Sequence, residues 1–315
     1  MEWKTMKPSL LPMLVCRCGG TFLPEPAFSG DDTQMEEGGL RCPCGIFVPV
    51  RGGIPRFVPA DFEVSGFSFQ WLRHRRTQID SGTSRESESN FFAKTLFRPE
   101  EIAGKTVLDA GCGTGRFMDI ALRQGTCCVG IDLSFAVEAA YENLGSRPNA
   151  HILQADLRDL PFRDGFFDLI YSIGVLHHTP DCRASFLSLV RLLKPGGRIS
   201  IWVYSLEAFR SAMSDHYRRV TNRLPPRFLY TLCHVAVPYY YLTRIPIIGS
   251  TLYRILPISL HPLWRWRVLD TFDWYSPRYQ SKHTYPEVSG WFREAGLTDI
   301  EVAEPPVTVS GRKPD

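Results

Sequence analysis

Residues 107–116 read Val-Leu-Asp-Ala-Gly-Cys-Gly-Thr-Gly-Arg, so Gly111, Gly113 and Gly115 crowd one turn directly after a short apolar run. Such a turn suits a dinucleotide, a triphosphate or a nucleoside without phosphate. The spacing is Gly-x-Gly-x-Gly, and Arg116 stands where a dinucleotide loop has its third glycine. No Gly-Lys-Ser/Thr follows, which excludes a triphosphate loop. Asp109, two residues before the first glycine, would repel a pyrophosphate and suits a cationic ligand end. Asp132 follows 23 residues later, where a carboxylate can accept from ribose hydroxyls. Asp156, at the end of a third strand candidate, falls within reach of an adenine amino group. Acids for ribose, adenine and an amino-acid end, with no phosphate ligand, describe S-adenosylmethionine (SAM).

The elements that must hold these residues alternate in the βαβα rhythm of a parallel sheet flanked by helices. Strand candidates are 105–110, 126–132, 150–155, 166–172 and 198–204. Between them, amphipathic stretches predict helices, with Gly125 and Gly145 as C-caps and Lys194-Pro195-Gly196-Gly197 stopping the third. A further helix (285–296) and two strands (297–303 and 306–311) complete the pattern. Hydrophobic residues at 44%, charged residues at 22% and a net charge of +3 are ordinary for a soluble domain, and that charge alone does not point to nucleic acid. No uncharged apolar stretch reaches the ~18 residues of a bilayer span. The N-terminus lacks a small-residue cleavage site. Nine cysteines without a secretion signal point to thiols or metal, and the expectation is a cytoplasmic protein.

Val-Leu-Asp-Ala-Gly-Cys-Gly-Thr-Gly-Arg, Gly-Ile-Asp-Leu-Ser (130–134), Gln-Ala-Asp-Leu-Arg-Asp-Leu-Pro-Phe (154–162), Gly-Val-Leu-His-His-Thr-Pro-Asp (174–181) and Leu-Leu-Lys-Pro-Gly-Gly-Arg-Ile (192–199) occur in this order. In them the sequence resembles the class I SAM-dependent methyltransferases, particularly small-molecule enzymes such as the ubiquinone and menaquinone C-methyltransferases. The resemblance covers roughly 104–204 and 284–311. It implies an α/β, Rossmann-like seven-stranded sheet in the order 3-2-1-4-5-7-6, strand seven antiparallel. It also implies that Asp109, Gly111, Cys112, Gly113 and Gly115 wrap the methionine moiety, and that Asp132 and Leu133 take the ribose. Asp156 and Leu157 would take the adenine, with Ser172, Ile173 and Gly174 as the edge of the fourth strand. Residues 61–103 are expected to form N-terminal lid helices, with Gln70 and Trp71 facing the cofactor, and 104–315 the methyltransferase domain.

His177 and His178 fall just past the fourth strand, where an acceptor would lie. One of them could serve as base; the plainer reading has one packing on the cofactor and the other capping a helix. Residues 205–280 form a helical insertion with ten arginines, no lysine, four acids and 14 aromatics. Its apolar, tyrosine-rich segments suit a lid over a lipid-like acceptor, a peripheral contact with a membrane surface, or a plain hydrophobic cap. Trp274 and Tyr275 would line the acceptor pocket, Tyr275 as a third candidate catalytic residue. Ser172-Ile173-Gly174-Val175 replaces the Pro-Pro-aromatic motif of enzymes that methylate base amino groups, which counts against nucleic acid.

Cys16-Arg-Cys18-Gly and Cys42-Pro-Cys44-Gly form two close pairs within residues 1–60. Four thiolates make a closed, structural zinc site, and the region resembles zinc ribbons fused to or partnering methyltransferases. Ribbons space each pair Cys-x-x-Cys, so the closer spacing leaves a metal-free knuckle open as an alternative. The sequence therefore predicts a small-molecule methyltransferase with a zinc-ribbon-like segment. The alternatives are a SAM-binding scaffold that recruits a partner enzyme and a methyltransferase acting on RNA or protein.

Overall fold

The structure, a computed structural model, describes residues 6–25, 36–59, 65–80, 85–207, 213–304 and 307–315. Short parts of the expected ribbon (26–35), lid (61–64 and 81–84) and insertion (208–212) lie outside the described residues. The N-terminal segment supplies strands β1 (Leu23–Glu25), β2 (Gly38–Arg41), β3 (Phe47–Arg51) and β4 (Ile54–Phe57). Helices α1 (Ser65–Arg73), α2 (Glu86–Thr95) and α3 (Pro99–Ile102) follow. The alternating core is β5 (Thr106–Ala110), α4 (Arg116–Arg123), β6 (Cys127–Asp132), α5 (Ala136–Leu144), β7 (Ala150–Ala155), β8 (Phe167–Ile173), α6 (Cys182–Val190) and β9 (Leu193–Val203). Helices α7 (Ser214–Thr221), α8 (Pro226–Cys233), α9 (Ala236–Leu242), α10 (Gly249–Ile255) and α11 (Trp264–Tyr275) form the insertion. Helix α12 (Tyr285–Glu294) and strands β10 (Thr298–Ala303) and β11 (Val307–Arg312) close the chain.

One sheet runs β1-β2-β3-β4-β7-β6-β5-β8-β9-β11-β10. Its last seven members have the expected order 3-2-1-4-5-7-6, and β11 is antiparallel to β9. The sheet nevertheless has eleven strands rather than seven. The N-terminal strands do not form a detached ribbon, because β4 pairs in parallel with β7 through Arg56↔Gln154 and Phe57↔Ala155. Leu14, Leu40, Val48 and Val50 are buried in the same core as Leu108, Val129 and Leu153. Burial on both faces explains the near-continuous apolar runs of the central strands.

The third core helix is shorter than its sequence predicts. It ends at Val190, and Leu193 already pairs with Phe167, so Lys194-Pro195-Gly196-Gly197 lies within β9. The register shift between Phe167 and Leu169 absorbs this irregular stretch. On one face of the sheet α6 and α12 cover the strands through Phe186, Val288 and Phe292; on the other, α2, α4 and α5 do so through Phe91, Met118 and Ala140. Among the described residues, no helix is long and apolar enough to cross a membrane.

Ile54 on β4 is 2% exposed and packs in the same cluster as Phe91 and Val107. Ile54→Ala should therefore destabilise the whole sheet by ~2–4 kcal/mol, seen as a lower midpoint of one cooperative denaturant transition. A separate early transition carrying all of the loss would show that the N-terminal segment folds independently.

Candidate functional site

The glycine loop sits at the carboxyl end of β5, where an open α/β sheet places its ligand crevice. Gly111 has φ +94°, and a Cβ there would lie 2.3 Å from Val175 Cγ2, so both backbone hand and space demand glycine. The N–H groups of Gly111 and Cys112 both donate to Ile131 O at 2.8 Å. Gly113 N donates to Asp132 Oδ2 at 3.0 Å and Gly115 N to Cys112 O at 2.8 Å. These four amides are thus satisfied within the protein, and the loop does not present them as a phosphate cradle. Asp132 Oδ1 also accepts from Ser134 N (2.9 Å) and Ser134 Oγ (2.7 Å). Burial raises the pKa of Asp132, and these hydrogen bonds oppose the rise.

A cavity of ≈ 470 Å³ opens at this edge, within the range of about 300–1,000 Å³ for small-molecule sites. Its wall includes Gly111, Cys112, Gly113, Asp132, Leu133, Asp156, Leu157, Ile173 and Gly174, with Gln70 and Trp71 from α1. Three expected residues stand behind that wall. Ser172 Oγ donates to Ala110 O at 2.7 Å, tying β8 to β5. Gly115 begins α4 against Leu144. Asp109 is 2% exposed, its Oδ2 has no hydrogen-bond partner among the described residues, and burial pushes its pKa up to about 7. Asp156 is gripped by Arg158, whose Nη2 lies 2.6 Å from Oδ2. Burial alone would raise this carboxyl, but the Arg158 bonds hold it below its ordinary range.

The two histidines separate. His178 lines the cavity, and its Nδ1 lies 3.0 Å from Tyr279 O. A carbonyl only accepts, so Nδ1 carries the proton and Nε2 keeps a lone pair. Burial lowers the pKa of His178. His177 is fully buried, stacked 3.9 Å from Tyr204, and absent from the wall, so of the pair His178 is the one that faces the cavity. The plainer alternative also changes, because Asp181, not a histidine, caps α6 by accepting from Ala184 N. Tyr275 is corrected likewise: its hydroxyl donates to Pro257 O at 2.7 Å inside the insertion, away from the cavity. One helical position earlier, Trp274 supplies the wall.

Sequence reasoning missed the far side of the cavity. Lys94 lies in the wall with its Nζ 3.7 Å from the Trp202 ring centroid and no ion pair among the described residues. Burial, then the nearby Arg116 charge, lowers its pKa to about 8. Arg116 Nε donates to Ser87 Oγ at 2.8 Å, while Nη2 is buried without a partner among the described residues. From α11 come Trp266, Asp270, Asp273 and Trp274. Asp273 accepts from Tyr204 Oη at 3.0 Å and from Gln70 Nε2 at 3.3 Å, so α1, the residue after β9 and α11 meet at one carboxylate. No local motif marks these residues, since they converge only through tertiary packing.

Cys16, Cys18, Cys42 and Cys44 form the second candidate site. All four sulfurs lie within 4.8 Å of one another, with Cys16–Cys44 at 3.6 Å and Cys18–Cys42 at 3.4 Å. Zn–S bonds of about 2.3 Å place tetrahedral sulfurs ~3.8 Å apart, so the donor set fits a closed zinc site. Both loops carry the same turn. Cys16 N donates to Gly20 O and Gly19 N to Cys16 O; Cys42 N donates to Ile46 O and Gly45 N to Cys42 O. The shorter Cys-x-Cys spacing is thus accommodated by two matching turns, with Gly19 and Gly45 at positive φ.

Residues 108–201 match the methyltransferase domain family, so the chain carries a methyltransferase domain on a Rossmann-like sheet. It is 34% identical over 153 residues to a chloroplastic tocopherol O-methyltransferase of Arabidopsis thaliana, covering 45% of this chain and 43% of that one. It is 30% identical over 142 residues to a demethylmenaquinone methyltransferase of Tropheryma whipplei, covering 45% and 59%. A probable tRNA methyltransferase 9B of Mus musculus is 34% identical over 114 residues, covering 35% and 24%. The chain thus spans between a quarter and three fifths of the length of these relatives.

Asp270 gives a pH test of the cavity wall. Burial first and Asp273 second raise its pKa from 3.8 to about 7. Between those values the folded state holds a proton that the unfolded chain has released, so this site's contribution to stability falls as pH rises. Asp270→Asn should raise Tm relative to the parent at about pH 8 and leave it little changed near pH 4. The same Tm difference at both pH values would contradict a buried, protonatable Asp270.

Proposed function

We propose that the protein is a SAM-dependent methyltransferase acting on a small, largely apolar acceptor. The carrying observation is the cavity itself. One wall has carboxylates at the ends of β6 and β7 and a loop whose amides face inward to the protein, which suits a nucleoside without phosphates. The other wall has Trp202, Tyr204, Trp266 and Trp274, which suits an apolar or aromatic acceptor. The small-molecule relatives support this reading, whereas the tRNA-directed name among them supports a macromolecular acceptor. The aromatic and helical lining supplied by α1, α2 and α11 favours the former.

In this reading Asp132 accepts from the ribose hydroxyls while fixing the loop, and Asp156 and Leu157 border the adenine. Lys94 and Arg116 supply positive charge to the carboxylate of the methionine moiety. SAM, when bound, supplies an electrophilic methyl group. The chain's part is to hold the acceptor in line, keep water out and take a proton where the acceptor carries one. His178 Nε2 is the group placed for that proton. The four-cysteine cluster is read as a structural zinc site, since four thiolates leave no coordination position open.

Asp132→Ala removes a charged acceptor and the anchor of Gly113, so the Kd for S-adenosylhomocysteine should rise more than tenfold. An unchanged Kd would place the cofactor elsewhere. With a methyl acceptor in hand, His178→Ala should lower turnover by ~10²–10⁴ at saturating SAM while His177→Ala acts mainly on stability. Equal turnover of His178→Ala and parent would show that positioning alone suffices. Elemental analysis should find about one zinc per chain, lost on combined Cys16→Ser and Cys18→Ser. Metal-free protein that keeps its N-terminal fold would leave the cluster as a thiol knuckle.

A further inference from the structure

The insertion has a second surface, turned away from the cavity. On α8, Leu229, Tyr230 and Cys233 face inward and pack on Val268 and Phe272 of α11. The opposite stripe, Phe228, Leu232 and Val235, is 54%, 45% and 51% exposed. His234 and Val235, between α8 and α9, keep helical dihedrals, so the stripe runs on to Leu242 at the next heptad position. Tyr241, Leu242, Ile245, Ile247 and Ile248 are all exposed, and Leu263 and Trp264 are exposed at the start of α11. Scattered apolar residues on a surface need no explanation, but a contiguous run of this kind does.

Two further observations say what covers it. Residues 216–269 contain eight arginines and no aspartate or glutamate. Arg219, Arg223, Arg227 and Arg254 have no carboxylate partner among the described residues. A second copy of the chain would bring these arginines against one another with no acid from this segment to pair them, whereas an anionic lipid surface supplies the missing charge. The second observation is Ile247. Its φ is +75°, Ile248 N donates to Pro246 O at 2.9 Å, and the side chain is 94% exposed. A β-branched residue at the centre of a γ-turn of this hand is strained, and here the strain presents an aliphatic side chain to the outside. An aliphatic tip in a segment rich in arginine and free of acids suits an acyl–headgroup boundary better than nucleic acid, which is stacked by aromatic groups.

We propose that the outer face of α8 and α9, with the Arg244–Gly249 turn, docks on an anionic phospholipid surface. Helix α11, which walls the cavity, packs directly behind these helices, so docking holds the acceptor pocket beside the bilayer. An acceptor dissolved in lipid would then be supplied from the surface.

The test is co-sedimentation of the full chain with vesicles of phosphatidylcholine alone or of equal parts phosphatidylcholine and phosphatidylglycerol. Binding to S-adenosylhomocysteine is measured in parallel. The expected result is binding to the phosphatidylglycerol vesicles, weakened by salt, and little binding to phosphatidylcholine. Ile247→Asn, at home in this backbone conformation, should raise Tm and weaken vesicle binding about tenfold; Arg223→Gln with Arg227→Gln should weaken it on anionic vesicles only. All variants should keep the parent's S-adenosylhomocysteine Kd. Equal binding to both vesicle types, none to either, or binding unaffected by Ile247→Asn would overturn the proposal. So would a dimer dissociated by Ile247→Asn, or tight RNA binding by this face without vesicle binding. Loss of S-adenosylhomocysteine binding in the parent would bear on the methyltransferase reading and not on this one.

Discussion

The Asp132 carboxylate is the knot of the site. It receives the Gly113 N–H from the loop after β5 and both Ser134 groups from the turn after β6. Ile131 O beside it takes the Gly111 and Cys112 amides. The tips of two neighbouring parallel strands are thereby locked as one unit, through three amides of the loop after β5 that donate to the end of β6. The lock works only because Gly111 adopts a positive φ and lets Val175 approach. It also bears on ligand chemistry: amides engaged inside the protein are not offered to a phosphate, while Asp132, which lines the cavity, keeps one acceptor site on Oδ2.

Everything else builds outward from that edge. The sheet grows through β8 and β9 to the antiparallel β11 on one side and through β7 to β4 on the other, so the N-terminal segment shares the core of the sheet. Helices α1, α2 and α11 close over the carboxyl ends. Phe69 on α1 packs on Tyr230 and Phe272, and His74 Nε2 lies 2.8 Å from Tyr230 Oη, so the roof and the insertion are held by one small core. Asp273 joins them at the cavity through Tyr204 and Gln70. The cavity wall and the outer apolar face are two sides of the same helical layer.

What was readable in the chain is what short spacing determines. The glycine turn, the acids at strand ends and the βαβα rhythm are local, and they placed β5 to β8; the order of the last seven strands followed from the family resemblance that those motifs carry. The early start of β9 was not legible, because Lys194-Pro195-Gly196-Gly197 stops a helix in isolation and a register shift against β8 admits it to a strand. The junction of β4 with β7 joins residues about a hundred positions apart and has no signature beyond an apolar pair. Lys94, Arg116, Asp270 and Asp273 are ordinary helix residues whose chemistry comes from burial beside one another. His177 and His178 look equivalent in sequence; stacking on Tyr204 takes one out of the cavity and Tyr279 O orients the other.

A crystal structure with S-adenosylhomocysteine, the SAM product, tests the central claim most directly. Density is expected in the ≈ 470 Å³ cavity, with the ribose hydroxyls on Asp132, the adenine beside Asp156 and Leu157, and the sulfur facing His178 and the aromatic wall. An empty cavity under conditions in which the compound is bound in solution, or density at any other surface, would contradict it.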